Sequence, residues 1–195
     1  VSTLLALAGQ ARALLGATTK ITYAADWTEY GAHVPAGTND LDFPLDPVWA
    51  HPDVDAVGID NYMPLSDWRD AHADGSNPDG AKSAVDLDAL KAGITSGEAY
   101  DWYYAGQNDR DASIRTPIVD GLAGKPWVFR PKDLRGWWEN QHFARAGGAE
   151  NPIATGWIPR SKPIWFTEFG CPAVDKGANQ PNVFPDAKSA SAALP

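Results

Sequence analysis

The sequence predicts an α/β fold that forms the C-terminal part of a (β/α)8 barrel. Three observations carry that prediction. First, three short apolar runs, over 20–27, 54–62 and 164–169, each end in acidic or aromatic residues: Asp26-Trp27, Asp60-Asn61-Tyr62 and Glu168-Phe169. Second, helix-like or loop segments separate these runs, as crossovers separate parallel strands. Parallel strands place their C-termini on one side, so the three tips are expected to converge. Third, neither GxGxxG nor GxxxxGK[ST] occurs, which disfavours the doubly wound alternative. A whole barrel takes about 250 residues. With these long loops, 195 residues hold roughly half of one, and the opening helix would follow a strand that is missing.

Each element has its own justification. Leu4, Leu7, Ala8, Ala11, Leu14 and Leu15 recur at helical spacing, with Gly16 placed to stop the helix. The stretch 31–47 is rich in Gly, Pro, Asn and Asp and reads as loop, with a short helical turn beginning at Val48-Trp49. Residues 66–81 form a second polar loop. Residues 85–104 read as helix, with Leu87, Leu90, Ile94 and Tyr100 inward and Gly93 and Gly97 weakening it. Residues 105–125 are irregular, with Arg110, Asp111 and Arg115 expected at the surface. A further helix is expected over 132–146, carrying Leu134, Trp137, Trp138 and Phe143 and ended by Gly147-Gly148. The two adjacent tryptophans point about 100° apart, so one should be core and the other rim. The domain is expected over 1–175, and 176–195 as a loop and loosely held tail.

Composition narrows the function classes. Net charge is −9, from 25 acidic and 16 basic residues. That balance argues against nucleic-acid binding, which needs clustered Lys and Arg, and against adhesion to anionic membranes. No run approaches the roughly 20 apolar residues of a membrane span. The single cysteine, Cys171, permits no intrachain disulfide and reads as a small buried filler. No metal-ligand spacing is present, and no cofactor is expected. His33, His51, His72 and His142 read as solvated.

The chemistry concentrates in Ile164-Trp165-Phe166-Thr167-Glu168-Phe169-Gly170. Strand packing explains the apolar part but not a carboxylate at its end. In α/β barrels the C-terminal strand ends carry the chemistry, so Glu168 is the first candidate. Asp26, Glu29 and Asp60 are placed either to bind hydroxyl groups or to cap loops. Nine tryptophans either stack on sugar rings or fill a large core, and Trp27 at a strand tip is the candidate platform.

Trp-Phe-Thr-Glu-Phe-Gly-Cys-Pro around Glu168 resembles the seventh-strand end of the clan A glycoside hydrolases, and Asp60-Asn61-Tyr62 resembles their sixth. A closer resemblance spans nearly the whole chain. It rests on Ala25-Asp26-Trp27-Thr28-Glu29-Tyr30, Gly58-Ile59-Asp60-Asn61-Tyr62-Met63-Pro64-Leu65, Lys132-Asp133-Leu134-Arg135-Gly136-Trp137-Trp138 and Thr167-Glu168-Phe169-Gly170-Cys171-Pro172. These are similar to the TIM-barrel-like domain of the large tail-tip protein of gene transfer agents and related tailed phages.

The resemblance implies a retaining glycoside hydrolase acting on cell-envelope polysaccharide or peptidoglycan glycan. Glu168 would be the nucleophile and Tyr62 its hydrogen-bonding partner. Asp26, Trp27, Asp60 and Asn61 would complete the substrate-binding set. Other tail-tip proteins would be partners, and a virion tail or phage-like particle the location. The clan's general acid ends strand four, which the resemblance places upstream of Val1, and retaining hydrolysis needs two carboxyl groups about 5–5.5 Å apart. The alternatives are a catalytically silent carbohydrate-binding or structural barrel, a free secreted glycosidase and, more distantly, a metal-dependent hydrolase.

Overall fold

The computed structural model describes residues 1–183. In chain order the elements are α1 (Ser2–Leu15), β1 (Ala24–Asp26), α2 (Asp46–Trp49), β2 (Val57–Asn61), α3 (Leu87–Ala92), β3 (Trp102–Tyr103), α4 (Gln107–Asp111), β4 (Thr116–Pro117), α5 (Leu134–Glu139), β5 (Arg145–Ala146), β6 (Ala149–Glu150) and β7 (Ile164–Phe169). Single 3-10 turns cover Asp70–Asp74, Gly93–Thr95 and Pro126–Phe129. The chain divides into two compact units. One comprises Val1–Asn61, Asp120–Phe129 and Leu134–Glu168; the other comprises Tyr62–Val119, Arg130–Asp133 and the chain from Phe169 onward.

The first unit carries the sheet, three parallel strands in the order β1-β2-β7 with no barrel closure among the described residues. Ala24, Ala25 and Asp26 of β1 pair with Gly58, Ile59 and Asp60 of β2. Gly58 is required there by close approach: a Cβ at this position would lie 2.4 Å from the Tyr23 carbonyl oxygen. The same unit carries an aromatic core. Trp49 is fully buried, and its indole N–H donates to the Tyr30 carbonyl at 3.0 Å. The Trp137 and Trp157 rings pack with centroids 4.8 Å apart, and Tyr30 meets Trp137 edge-on at 5.1 Å. Trp137 is the buried member of its adjacent pair, and Trp138 lies half-exposed with its N–H on the Lys162 carbonyl.

Helix α1 ends at Gly16, whose φ of 79° leaves the helical region while its N–H still reaches the Arg12 carbonyl. The expected apolar stripe is not what seats it. Ala8 is its one buried residue, and Leu7, Leu14 and Leu15 are exposed. The anchor is Arg12, which donates to the Asp55 carboxylate at 2.6 Å and the Asp53 carbonyl at 3.0 Å. The Ile21 N–H, with Arg12 and Lys20, holds the Asp55 carboxyl well below the usual carboxylate range.

The helix expected over 132–146 covers only Leu134–Glu139. Gly147-Gly148 do not cap it. Both have positive φ, and they turn the hairpin between β5 and β6, where a two-residue connection favours Gly-Gly. Arg145, at the start of that hairpin, is buried and grips both oxygens of Asp120 at 3.0 and 2.8 Å.

The second unit is built differently. The helix expected over 85–104 stops early, as α3 and the Gly93–Thr95 turn. Asp86 caps α3, accepting from the N–H groups of Asp88 and Ala89. Gly97 takes φ +77° and ends the run, and the backbone returns as β3 against β4. Leu87 and Ile94, expected inward, are exposed. Arg110 and Arg115, expected at the surface, are instead mostly covered: Arg110 pairs with Glu98, and Arg115 bridges Asp67 and Asp79. Part of the expected tail is tied into this unit. Asn179 is buried and exchanges two hydrogen bonds with the Trp68 backbone, and Lys176 pairs with Asp70. Residues 184–195 lie outside the described residues.

Candidate active-site rim

The C-terminal ends of β1, β2 and β7 share one edge of the first unit. Asp26 and Asp60 stand opposite each other in the parallel register, and the Thr167 hydroxyl donates to Asp60 Oδ1 at 2.7 Å. Thr167 immediately precedes Glu168, so the carboxylate at the end of β7 lies on the rim formed by the other two tips. Tyr62 follows the last residue of β2 and opens the second unit.

Strand alternation sorts these residues by face. Asp26, Asp60 and Thr167 share one face of the sheet. Glu168 therefore leaves on the other, the face of Ala25, Ile59 and Asn61. Ala25 and Ile59 are fully buried, so an apolar floor lies behind that side of the rim. Trp27 follows Asp26 and begins the turn that leaves β1. Its backbone N–H donates to the Asp60 carbonyl at 3.1 Å. Its indole N–H is buried and meets no acceptor among the described residues.

Local hydrogen bonds explain what the acids do. Asp26 Oδ1 accepts from the Thr28 N–H at 2.9 Å and the Thr28 hydroxyl at 2.6 Å, while its carbonyl accepts from Glu29 and Tyr30. That is a side-chain-capped turn, and it fixes how the chain leaves β1. Asp60, through Thr167, ties β2 to β7. Of the two readings open for these acids, the bonds observed are those of bracing.

β7 departs from the buried strand expected. Ile164 is half-buried and its other residues are exposed; Trp165, Phe166 and Phe169 show 38, 49 and 78% of their surface. β7 is one of the two outer strands of the sheet, and its side chains are exposed on both faces. Cys171, expected as a buried filler, is exposed. Five tryptophans are buried (Trp49, Trp68, Trp102, Trp137 and Trp157), so core filling accounts for much of the tryptophan content.

His142 departs from the solvated position expected of it. His142 is fully buried, with Nδ1 at 2.8 Å from Asp46 Oδ2 and Nε2 at 2.8 Å from the Trp137 carbonyl. The Thr155 hydroxyl bonds the same carboxylate. The imidazole stacks on Phe43 at 4.4 Å and runs parallel to Trp157. Asp46 is 96 residues away, so no spacing rule could pair them. His51 and His72 also have partners, receiving bonds from the backbone N–H groups of Asp53 and Arg69. Among the described residues no group of three or more His, Cys, Asp or Glu side chains is arranged to hold a metal ion, and no helix is long and apolar enough to cross a membrane.

A parallel sheet with an acidic C-terminal rim is consistent with part of an α/β barrel. The family model for the GTA TIM-barrel-like domain matches residues 1–195, and the chain belongs to that family. A comparison with curated proteins finds no match.

Proposed function

We propose that this chain contributes the nucleophile side of a retaining glycoside hydrolase that acts on cell-envelope polysaccharide, carried at the tail tip of a gene-transfer-agent or phage-like particle. The observation that supports it is the rim itself. Glu168 ends a parallel strand whose neighbour in sequence, Thr167, is bonded to the β2 tip, and strand C-termini are where barrels of this type do chemistry. In this reading Glu168 attacks the anomeric carbon, forming a glycosyl-enzyme that water then resolves. Trp27 is the aromatic platform for a sugar ring in this reading, and Asn61 leaves β2 on the Glu168 face. Asp26 and Asp60 hold the loops that carry these groups. No carboxylate among the described residues is assigned as the general acid.

The test is Glu168→Gln in the longer parent protein, assayed for reducing ends released from purified peptidoglycan or capsule polysaccharide. Loss of the nucleophile is expected to lower turnover about a thousandfold or more. Turnover equal to that of the parent sinks the proposal.

A second reading, a silent sugar-binding or structural barrel, is favoured by one observation. Both other rim carboxylates leave from the opposite face to Glu168, so neither is a partner for it. That reading expects glycan binding by the parent protein with no reducing ends released, and equal binding by Glu168→Gln.

A further inference from the structure

The second unit contains a buried cation that makes no direct ion pair among the described residues. Lys132 is 4% exposed. Its Nζ donates to the carbonyl oxygens of Pro64 at 2.8 Å and Ser96 at 2.6 Å. An ammonium has three donors, and no carboxylate among the described residues forms an ion pair with it. An unpaired charge in such a place is costly unless something neutralises it.

Lys132 lines a cavity of about 50 Å³ shared with Leu65, Ala89, Ala92 and Trp102. At about 10–15 Å³ per water-sized site, that is room for three to five such sites, enough for a carboxylate group. The acids on the cavity wall are already engaged. Asp67 is held by Arg69 and Arg115, Asp79 by Arg115, and Glu98 by Arg110. Asp101, further off, accepts from the Gly97 N–H at 2.7 Å. Three arginines thus engage the three wall carboxylates, so none of the three makes a direct ion pair with the lysine, and Asp101 acts on it only from a distance.

The geometry points to a small-anion site in this cavity, one that takes the carboxylate of a small organic acid on the third N–H of Lys132. It belongs to the second unit and uses none of the rim residues, so it stands or falls apart from the glycosidase reading. Burial pushes the Lys132 ammonium down to about 8, against the distant pull of Glu98, Asp101 and Asp79. The charge that holds the anion is therefore present below that value and is lost as pH rises through it.

Acetate is the probe, with acetamide as its neutral isostere. The readout is the Lys132 side-chain 13Cε–1H correlation in the folded chain. At about pH 6 acetate is expected to shift that signal saturably, with Kd of the order of 1–10 mM. Acetamide should not shift it, and at about pH 10 acetate should not either. Lys132→Met, which keeps the length and removes the charge, is expected to weaken acetate binding about tenfold or more by calorimetry. The wild-type pH and isostere comparisons decide the matter even if that variant does not fold. A Lys132 signal indifferent to about 100 mM acetate, an equal response to acetamide, or undiminished acetate binding by Lys132→Met overturns the assignment.

Discussion

The two units solve the same problem by opposite means. The first is built around rings: Phe43, Trp137 and Trp157 enclose His142, which lies 2.8 Å from the Asp46 carboxylate, and a further deeply buried contact of this kind is the Arg145–Asp120 pair. The second is held by charges: Arg69, Arg110 and Arg115 tie Asp67, Asp79 and Glu98 together, with Trp102 and Tyr104 beneath the guanidinium groups. The difference teaches where each is vulnerable. A packed aromatic core is insensitive to salt but does not tolerate an orphaned polar group. A partly exposed ion network tolerates single losses better and weakens as ionic strength rises.

The largest effect should come from breaking the His142–Asp46 contact inside the ring cluster of the first unit. His142→Ala leaves Asp46 buried with only the Thr155 hydroxyl from its present side-chain partners and opens a void between Phe43 and Trp157. Removing one partner of a buried pair costs about 3–5 kcal/mol. Denaturant titration followed by tryptophan fluorescence measures it. A loss below about 1 kcal/mol would mean that the stacked rings, not the pair, carry this core.

A smaller effect is expected at the centre of the charged network. Asp67 is 5% exposed and accepts from Arg69, Arg115 and the Tyr104 hydroxyl. Asp67→Asn keeps the shape and removes the charge. Arg115 retains Asp79, so the expected loss is about 1–3 kcal/mol. Hydrogen exchange at β3 and β4 would localise it, and the wild-type/variant difference should shrink in molar salt. A difference that does not change with salt would show that Asp67 acts as a hydrogen-bond acceptor only.

How much of this was legible beforehand follows from the range of each interaction. The three strand runs, the Gly16 stop and the division of labour between Trp137 and Trp138 could be read because they are local patterns. The acids at the strand tips could be read because a carboxylate after an apolar run is anomalous on its own. What failed was long-range. The His142–Asp46 pair and the Arg115 bridges join residues 96 and 36 to 48 positions apart. The leucines of α1 and the apolar residues of β7 fit their periods, but period gives no account of what covers them. Gly147-Gly148 fit a helix stop and a hairpin turn equally, and only the partner strand decides.

The smallest expected effect sharpens the contrast between buried and exposed charge. Arg135 and Glu139 form an i,i+4 pair on α5 at 3.2 Å, with Arg135 84% exposed. Its orientation is the weaker one, since the acid sits toward the helix C-terminus where the dipole disfavours it. Glu139 also pairs with Arg160 at 2.8 Å, so losing Arg135 does not orphan it. Arg135→Ala is therefore expected to change stability by less than about 0.5 kcal/mol, with alanine's helix propensity offsetting part of even that. Thermal melts at low and high salt would check it. A loss above about 1 kcal/mol would mean that Arg135, Glu139 and Arg160 act as a coupled network on the surface of the aromatic unit. The distinction between a unit held by rings and a unit held by charges would then fail at its most exposed point.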